Sequence, residues 1–220
     1  MPNWQPEQTP KEEDFPLTVK YEHRILTVEE YNKLLAANEG YYMYLPLVLG
    51  GWMGMRRGEV LGLTWKDVDL TQQLLHVRNN RQTVNGKDII KEPKSATSIR
   101  TLAIPDFVAA ALRNAKQNTP TNINGFVCTL PDGKPLSANT FTRCYYRALE
   151  RAGFTDHIRF HDLRHTCAAL LTLAGASPKE VSDYLGHSSI SITMDLYADI
   201  FDTQKKERAK KLNSLLVGEL

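Results

Sequence analysis

The sequence predicts a mainly α-helical domain interrupted by a small antiparallel β-sheet. Two observations carry this. From Thr27 onward most of the chain falls into runs with apolar residues at helical spacing, several of them opened by a Thr, Asp or Ser cap. Residues 74–105 break that texture. There β-prone runs flank Asn85-Gly86, a two-residue hairpin signal, and "RTLAIP" (100–105) supplies a third strand.

The elements follow in order. Residues 1–22 carry four prolines and the acidic run Glu12–Asp14, the composition of a linker or the remnant of an arm. The domain itself is expected over 23–220. Thr27 caps a first helix, with Glu30 placed to complete a capping box. A buried helix spans Tyr41–Trp52, and a third starts near Arg56 in "RRGEVLGLTW". After the strands, Asp106 caps a helix reaching about Gln117. Ser137 caps a long helix ending at Gly153. "HDLRHTCAALLTLAG" forms a helix ending at Gly175. Ser177 caps the next, with Pro178 in its first turn. "SSISITMDLYADI" and the basic, Leu-bearing "KKERAKKLNSLL" complete the helical reading.

At 220 residues, 42% hydrophobic and 24% charged, the chain has the composition of a soluble globular protein with a substantial core. No signal-peptide pattern is present. The longest uncharged run, Gly40–Met55, is too short and too broken to span a membrane, so a cytoplasmic protein without a membrane partner is expected. Cys128, Cys144 and Cys167 include no C-x-x-C pair, which argues against a disulfide framework or a zinc knuckle. The formal net charge is only +2, so the distribution of charge has to carry any argument for nucleic acid.

Four constellations stand out. Arg56-Arg57-Gly58-Glu59 puts cations at a helix N-terminus, the end of the dipole that prefers anions. A phosphate opposite would relieve this, with Glu59 gripping an arginine fork; a plain surface Arg–Glu pair is the alternative. Residues 78–100 hold Arg78, Arg81, Lys87, Lys91, Lys94 and Arg100 against Asp88 and Glu92: a basic patch or a solvated hairpin. In "FHDLRHT", His161 and Arg164 share a helix face. The arginine offers a planar fork for phosphate oxygens, and the histidine can donate a hydrogen bond or move a proton. Asp162 reads as an N-cap or first-turn anion. His157, His161 and His165 recur every four residues, which keeps a metal site open. However, Ile158 and Phe160 suggest an extended approach to the helix, and no H-E-x-x-H glutamate is present. His187 follows Gly186 just past a helix end, with Tyr197 on the next helix. A tyrosine becomes a useful nucleophile when cations lower its pKa from about 10 or a base takes its proton.

In this order, R-x-G-E, a hairpin lysine, H-x-L-R, L-G-H and a following tyrosine, the motifs resemble those of the tyrosine recombinase (phage integrase) family from roughly Ile25 to the C-terminus. The resemblance implies the tyrosine-recombinase catalytic-domain fold, the fold of DNA breaking-rejoining enzymes. It implies Arg56, Lys94, His161, Arg164, His187 and Tyr197 as catalytic residues, Lys91 being a weaker match for the lysine, and Glu59 as their support. DNA contacts are expected from Arg57, Arg78, Arg81, Lys87, Lys91 and Arg100. It also implies a 3′-phosphotyrosyl intermediate formed without metal, ATP or any other cofactor, for a phage or other mobile element. The partners would be double-stranded DNA and further recombinase subunits, in a tetrameric synapse for the full protein. The family's N-terminal core-binding domain has no match in this chain. A type IB topoisomerase, a non-cleaving DNA-binding module and a metal-dependent hydrolase remain alternatives.

Overall fold

The structure is a computed structural model that describes residues 24–84, 87–91, 99–118, 120, 125–187, 189–191, 193–194, 198 and 212–213. For residues 84, 87, 88 and 91 it describes the backbone alone. The expected linker, the Asn85-Gly86 turn and most of the C-terminal helical reading lie outside these residues.

Helices α1 (Val28–Ala37), α2 (Tyr44–Gly51) and α3 (Arg57–Gly62) lead into a 3-10 turn at Trp65–Asp67. Strands β1 (Val68–Asp69), β2 (Leu74–Val77), β3 (Asn80–Val84), β4 (Lys87–Lys91) and β5 (Arg100–Ala103) follow. Then come α4 (Asp106–Asn118), α5 (Ala138–Arg151), α6 (Phe160–Leu173) and α7 (Pro178–Leu185). The local caps behave as expected. Thr27 and Glu30 exchange hydrogen bonds of 3.2 and 2.9 Å, and Ser177 and Glu180 exchange bonds of 3.3 and 2.7 Å. Ser137 takes the Thr140 N–H at 3.2 Å. Asp106 differs: it is the first residue of α4, and its carboxylate accepts from Gln73.

The β region departs from a single sheet. The run 74–84 breaks at Arg78-Asn79, and its two halves belong to different sheets. β2 pairs antiparallel with β1 and β5, whereas β3 and β4 form a separate hairpin. Burial explains the split. β2 and β5 turn Leu75, Val77 and Leu102 into the core, while Ile89 and Ile90 of the hairpin are exposed. The hairpin instead seats the start of β3 on the glycine side of α3. A Cβ at Gly58 would overlap Asn80 Oδ1, and one at Gly62 would lie 3.1 Å from the Arg81 amide.

One core cluster joins α1–α5, β2, β5 and the start of α6. α2 lies within it, with Leu47, Val48 and Leu49 fully buried, and packs on α6. A second, smaller cluster of Cys167, Ala168, Ala169, Val181 and Leu185 clamps α7 onto α6. Gly54 makes that seat possible. It holds a left-handed φ of 59°, and a Cβ there would run into Leu185 Cδ2. Gly54→Ala is therefore expected to destabilise the protein by about 1–3 kcal/mol, from overpacking together with backbone strain. Thermal denaturation checks this; an unchanged melting temperature would mean that α7 does not seat against Gly54.

Candidate active site

Two helices of the site start alike. Arg56 is the N-cap of α3, and Glu59 accepts its backbone N–H and its Nη1, both at 2.9 Å. Arg159 is the N-cap of α6, and Asp162 accepts its N–H at 2.8 Å and its Nη2 at 3.0 Å. In each case the acid three residues on neutralises an arginine that the helix dipole would disfavour. Asp162 is thus the first-turn anion and not the cap.

Glu59 is buried and has a second cation. Arg100 of β5 grips it with both prongs, Nη1 to Oε1 at 3.1 Å and Nη2 to Oε2 at 2.9 Å. The two-pronged pair therefore belongs to Arg100, and Arg56 makes a single side-chain bond. Arg164 is 1% exposed; it donates to the Gly54 carbonyl at 2.6 Å and to the Leu185 carbonyl at 2.5 Å. Arg100 Nε donates to the Tyr184 carbonyl at 2.9 Å, and Arg56 Nη2 to the Gly186 carbonyl at 3.0 Å. Three consecutive carbonyls at the end of α7 thus each receive one arginine. Those carbonyls lack intrahelical donors and carry the negative end of the helix dipole, so the end of α7 holds and orients the guanidinium cluster. Gly186, in the left-handed conformation, ends the helix there and turns the chain into His187.

Three guanidiniums facing one carboxylate leave an excess of positive charge. Burial, then Arg56 and Arg100, pull Arg164 down to about 9, so it stays charged at neutral pH. His187 Nδ1 lies 2.8 Å from Thr193 Oγ1, which leaves Nε2 for a ligand. Loss of solvent, then Arg164 and Arg56, hold His187 down at about 3. His161 is exposed at the start of α6, yet partial loss of solvent around its ring, then Arg164 and Arg56, hold it at about 4. Glu59 is pushed up by burial, but Arg100, the Arg56 amide and Arg164 outweigh that and keep it below the ordinary carboxylate value. Both histidines are therefore neutral at pH 7, able to accept a proton or donate one hydrogen bond.

A pH prediction follows. The unfolded chain protonates these histidines below their ordinary 6.5, while the folded chain resists until about 4 and 3. Stability should therefore fall as pH drops from about 6.5 through that window. Melting temperatures from pH 7 to 4 check it, and the slope should flatten in His161→Gln/His187→Asn. An equally steep profile in that double variant would contradict the assignment.

The structure thus brings Arg56, Glu59, His161, Arg164 and His187 to one place. Lys94 and Tyr197 lie outside the described residues, as do the side chains of Lys87 and Lys91. Arg78 is exposed, 3.8 Å from Asp67. Arg57 is exposed beside Thr142, at a cavity of about 390 Å³ shared with Tyr146, Arg159 and His161. Two of the expected DNA contacts are corrected. Arg81 is buried, lies over the Phe126 ring at 4.7 Å and donates to the Leu136 carbonyl. Arg100 is buried against Glu59. Both guanidiniums are buried within the protein, so neither is the exposed hairpin contact that the charge pattern suggested. Arg159 was missed by sequence reasoning, although Arg-x-x-Asp repeats the Arg-x-x-Glu pattern of α3. His157 precedes α6, and its ring stacks on Tyr146, off the stripe of His161 and His165. Among the described residues, no three His, Cys, Asp or Glu side chains are grouped to hold a metal ion, and no helix is long and apolar enough to cross a membrane.

This mostly helical fold with its small antiparallel sheets is that of tyrosine recombinase catalytic domains. It superposes on the Tn1549 transposon integrase in complex with a circular intermediate DNA with a TM-score of 0.73, at 24% identity, covering 87% of this chain and 68% of that one. The chain belongs to the phage integrase family, whose sequence pattern matches residues 24–204. It is 32% identical to a XerC-like tyrosine recombinase of Caldanaerobacter subterraneus over 210 residues, covering 86% of this chain and 54% of that protein. It is 29% identical to the ICEBs1 integrase of Bacillus subtilis over 172 residues, covering 74% and 46%. The chain spans about half the length of the curated relatives it matches.

Proposed function

We propose that this chain is the catalytic domain of a site-specific tyrosine recombinase that cuts and rejoins double-stranded DNA for a phage or other mobile element. Residues 23–220 form that domain and 1–22 a linker. It works in the cytoplasm, and in a tetrameric synapse with other subunits. The observation that carries the reading is the convergence of Arg56, Arg164, His161 and His187 beside Glu59 at the end of α7.

The chemistry follows from that charge. Tyr197 Oη attacks a DNA phosphorus, the bond to the 5′-oxygen breaks, and a 3′-phosphotyrosyl link forms. Negative charge grows on the nonbridging oxygens, where Arg56 and Arg164 are the fitting partners and His187 adds a donor; each such preorganised donor is worth roughly 10²–10³ in rate. His161, neutral at pH 7, takes the tyrosine proton, and Lys94 protonates the leaving 5′-oxygen, a contribution of roughly 10²–10⁴. Attack by a second strand's 5′-hydroxyl reverses the step. Bond energy is conserved, so the reaction needs no nucleotide.

The test is a nicked duplex carrying the crossover sequence from the ends of the element that encodes the protein, incubated in EDTA. The nick lets the short 5′-hydroxyl fragment leave and traps the adduct. A covalent protein–DNA band on a denaturing gel is expected. Adduct formation that strictly requires Mg²⁺ would overturn the mechanism, and binding without any adduct would favour a non-cleaving module.

A further inference from the structure

We propose that Arg100 is a positioning residue for Arg56, holding the Glu59 carboxylate by two prongs and tying it to the end of α7. The proposal rests on the recombinase reading above. Arg56 commits one N–H to Glu59 and one to the Gly186 carbonyl. Its side chain is 32% exposed, so its remaining donors face outward for a ligand. That arrangement holds only because Glu59 is already satisfied. Glu59 is 3% exposed, and a buried carboxylate with one guanidinium partner draws that partner into a two-pronged pair. Arg56 would then turn inward. Arg100 removes that competition, and its Nε bond to the Tyr184 carbonyl keeps α3, β5 and the start of the His187 segment in one register. Arg100 itself is 9% exposed, with its guanidinium turned to Glu59 and the Tyr184 carbonyl.

The experiment compares Arg100→Met, Glu59→Gln and the double variant on the nicked duplex. Adduct formation by Arg100→Met should fall roughly 10²-fold, the scale set by misplacing a reacting group. The salt slope of duplex binding should fall by at most about one, the Arg56 contact, and adding Glu59→Gln should recover it. Adding Glu59→Gln to Arg100→Met should restore part of the rate, because no carboxylate then competes for the Arg56 fork. A salt slope smaller by about one that Glu59→Gln does not recover would instead make Arg100 a phosphate contact, and losses that simply multiply would make its role plain packing; either overturns the proposal. Arg100→Lys, which keeps charge without the fork, replaces Arg100→Met if the latter does not fold, and should lose rate in the same direction.

A readout without DNA separates this proposal from the function. The Glu59 carboxyl resonance is followed against pH, with Arg56, Arg100, Arg164, His161 and His187 the charged and titratable groups around it. Its pKa should rise when Arg100 is replaced, and an unchanged value would overturn the linkage. A parent protein that forms no adduct would count against the recombinase reading and leave this titration to decide the linkage.

Discussion

Replacing Arg164 by lysine is expected to slow formation of the covalent DNA adduct by roughly 10²–10³-fold although the charge is kept. The argument is geometric. The guanidinium spans two carbonyls on different segments, Gly54 between α2 and α3 and Leu185 at the end of α7. It lies at 1% exposure beside Arg56 and Arg100. An ammonium is a point donor and cannot span both carbonyls as the planar fork does, so the charge shifts from the place the fork holds it. One carbonyl loses its partner, which costs about 1–3 kcal/mol when buried. The melting temperature should therefore fall by several degrees while the protein remains folded. Single-turnover adduct formation and a melting curve check both parts. A rate within a few-fold of the parent would remove Arg164 from the catalytic set.

Tyr197→Phe carries the other large effect. No adduct is expected at any time, while duplex affinity and its salt dependence match the parent, because the cations that attract the phosphates are untouched. An adduct that survives would move the nucleophile elsewhere. Tyr184, the nearest tyrosine before L-G-H, is ill suited to take over. Burial and Cys167 push its pKa well up against the opposing pull of Arg100, and its hydroxyl lies against the Trp52 carbonyl and Met53 Sδ. Intact-mass analysis of the trapped adduct identifies the linked residue.

Much of this site is legible in the sequence. The order of R-x-G-E, H-x-L-R and L-G-H located Arg56, Glu59, His161, Arg164 and His187, and the structure brings all five together. The caps were legible too, because Thr27–Glu30 and Ser177–Glu180 interact within a single turn. The basic run 78–100 misled. Counted as one patch, it mixes exposed Arg78 with Arg81 stacked on Phe126 and Arg100 bound to a carbonyl of α7. Charge counting reads the number of cations and not the direction in which they point. The single sheet failed for a related reason: the texture of 74–84 is uniform, but only β2 finds an apolar partner in β5.

The sequence by itself determined the helical segments with their Thr27, Ser137 and Ser177 caps, and the family motifs that hold Arg56, Glu59, His161, Arg164 and His187, because caps, periodicity and spacing are set by neighbours a few positions apart. Only the tertiary structure decided which arginine serves which partner. Glu59 and Arg100 are 41 residues apart, and Arg100 and the Tyr184 carbonyl 84 apart. Those pairings exist because α3, β5 and α6 converge on the unsatisfied carbonyls of one short helix, and no local pattern encodes that convergence.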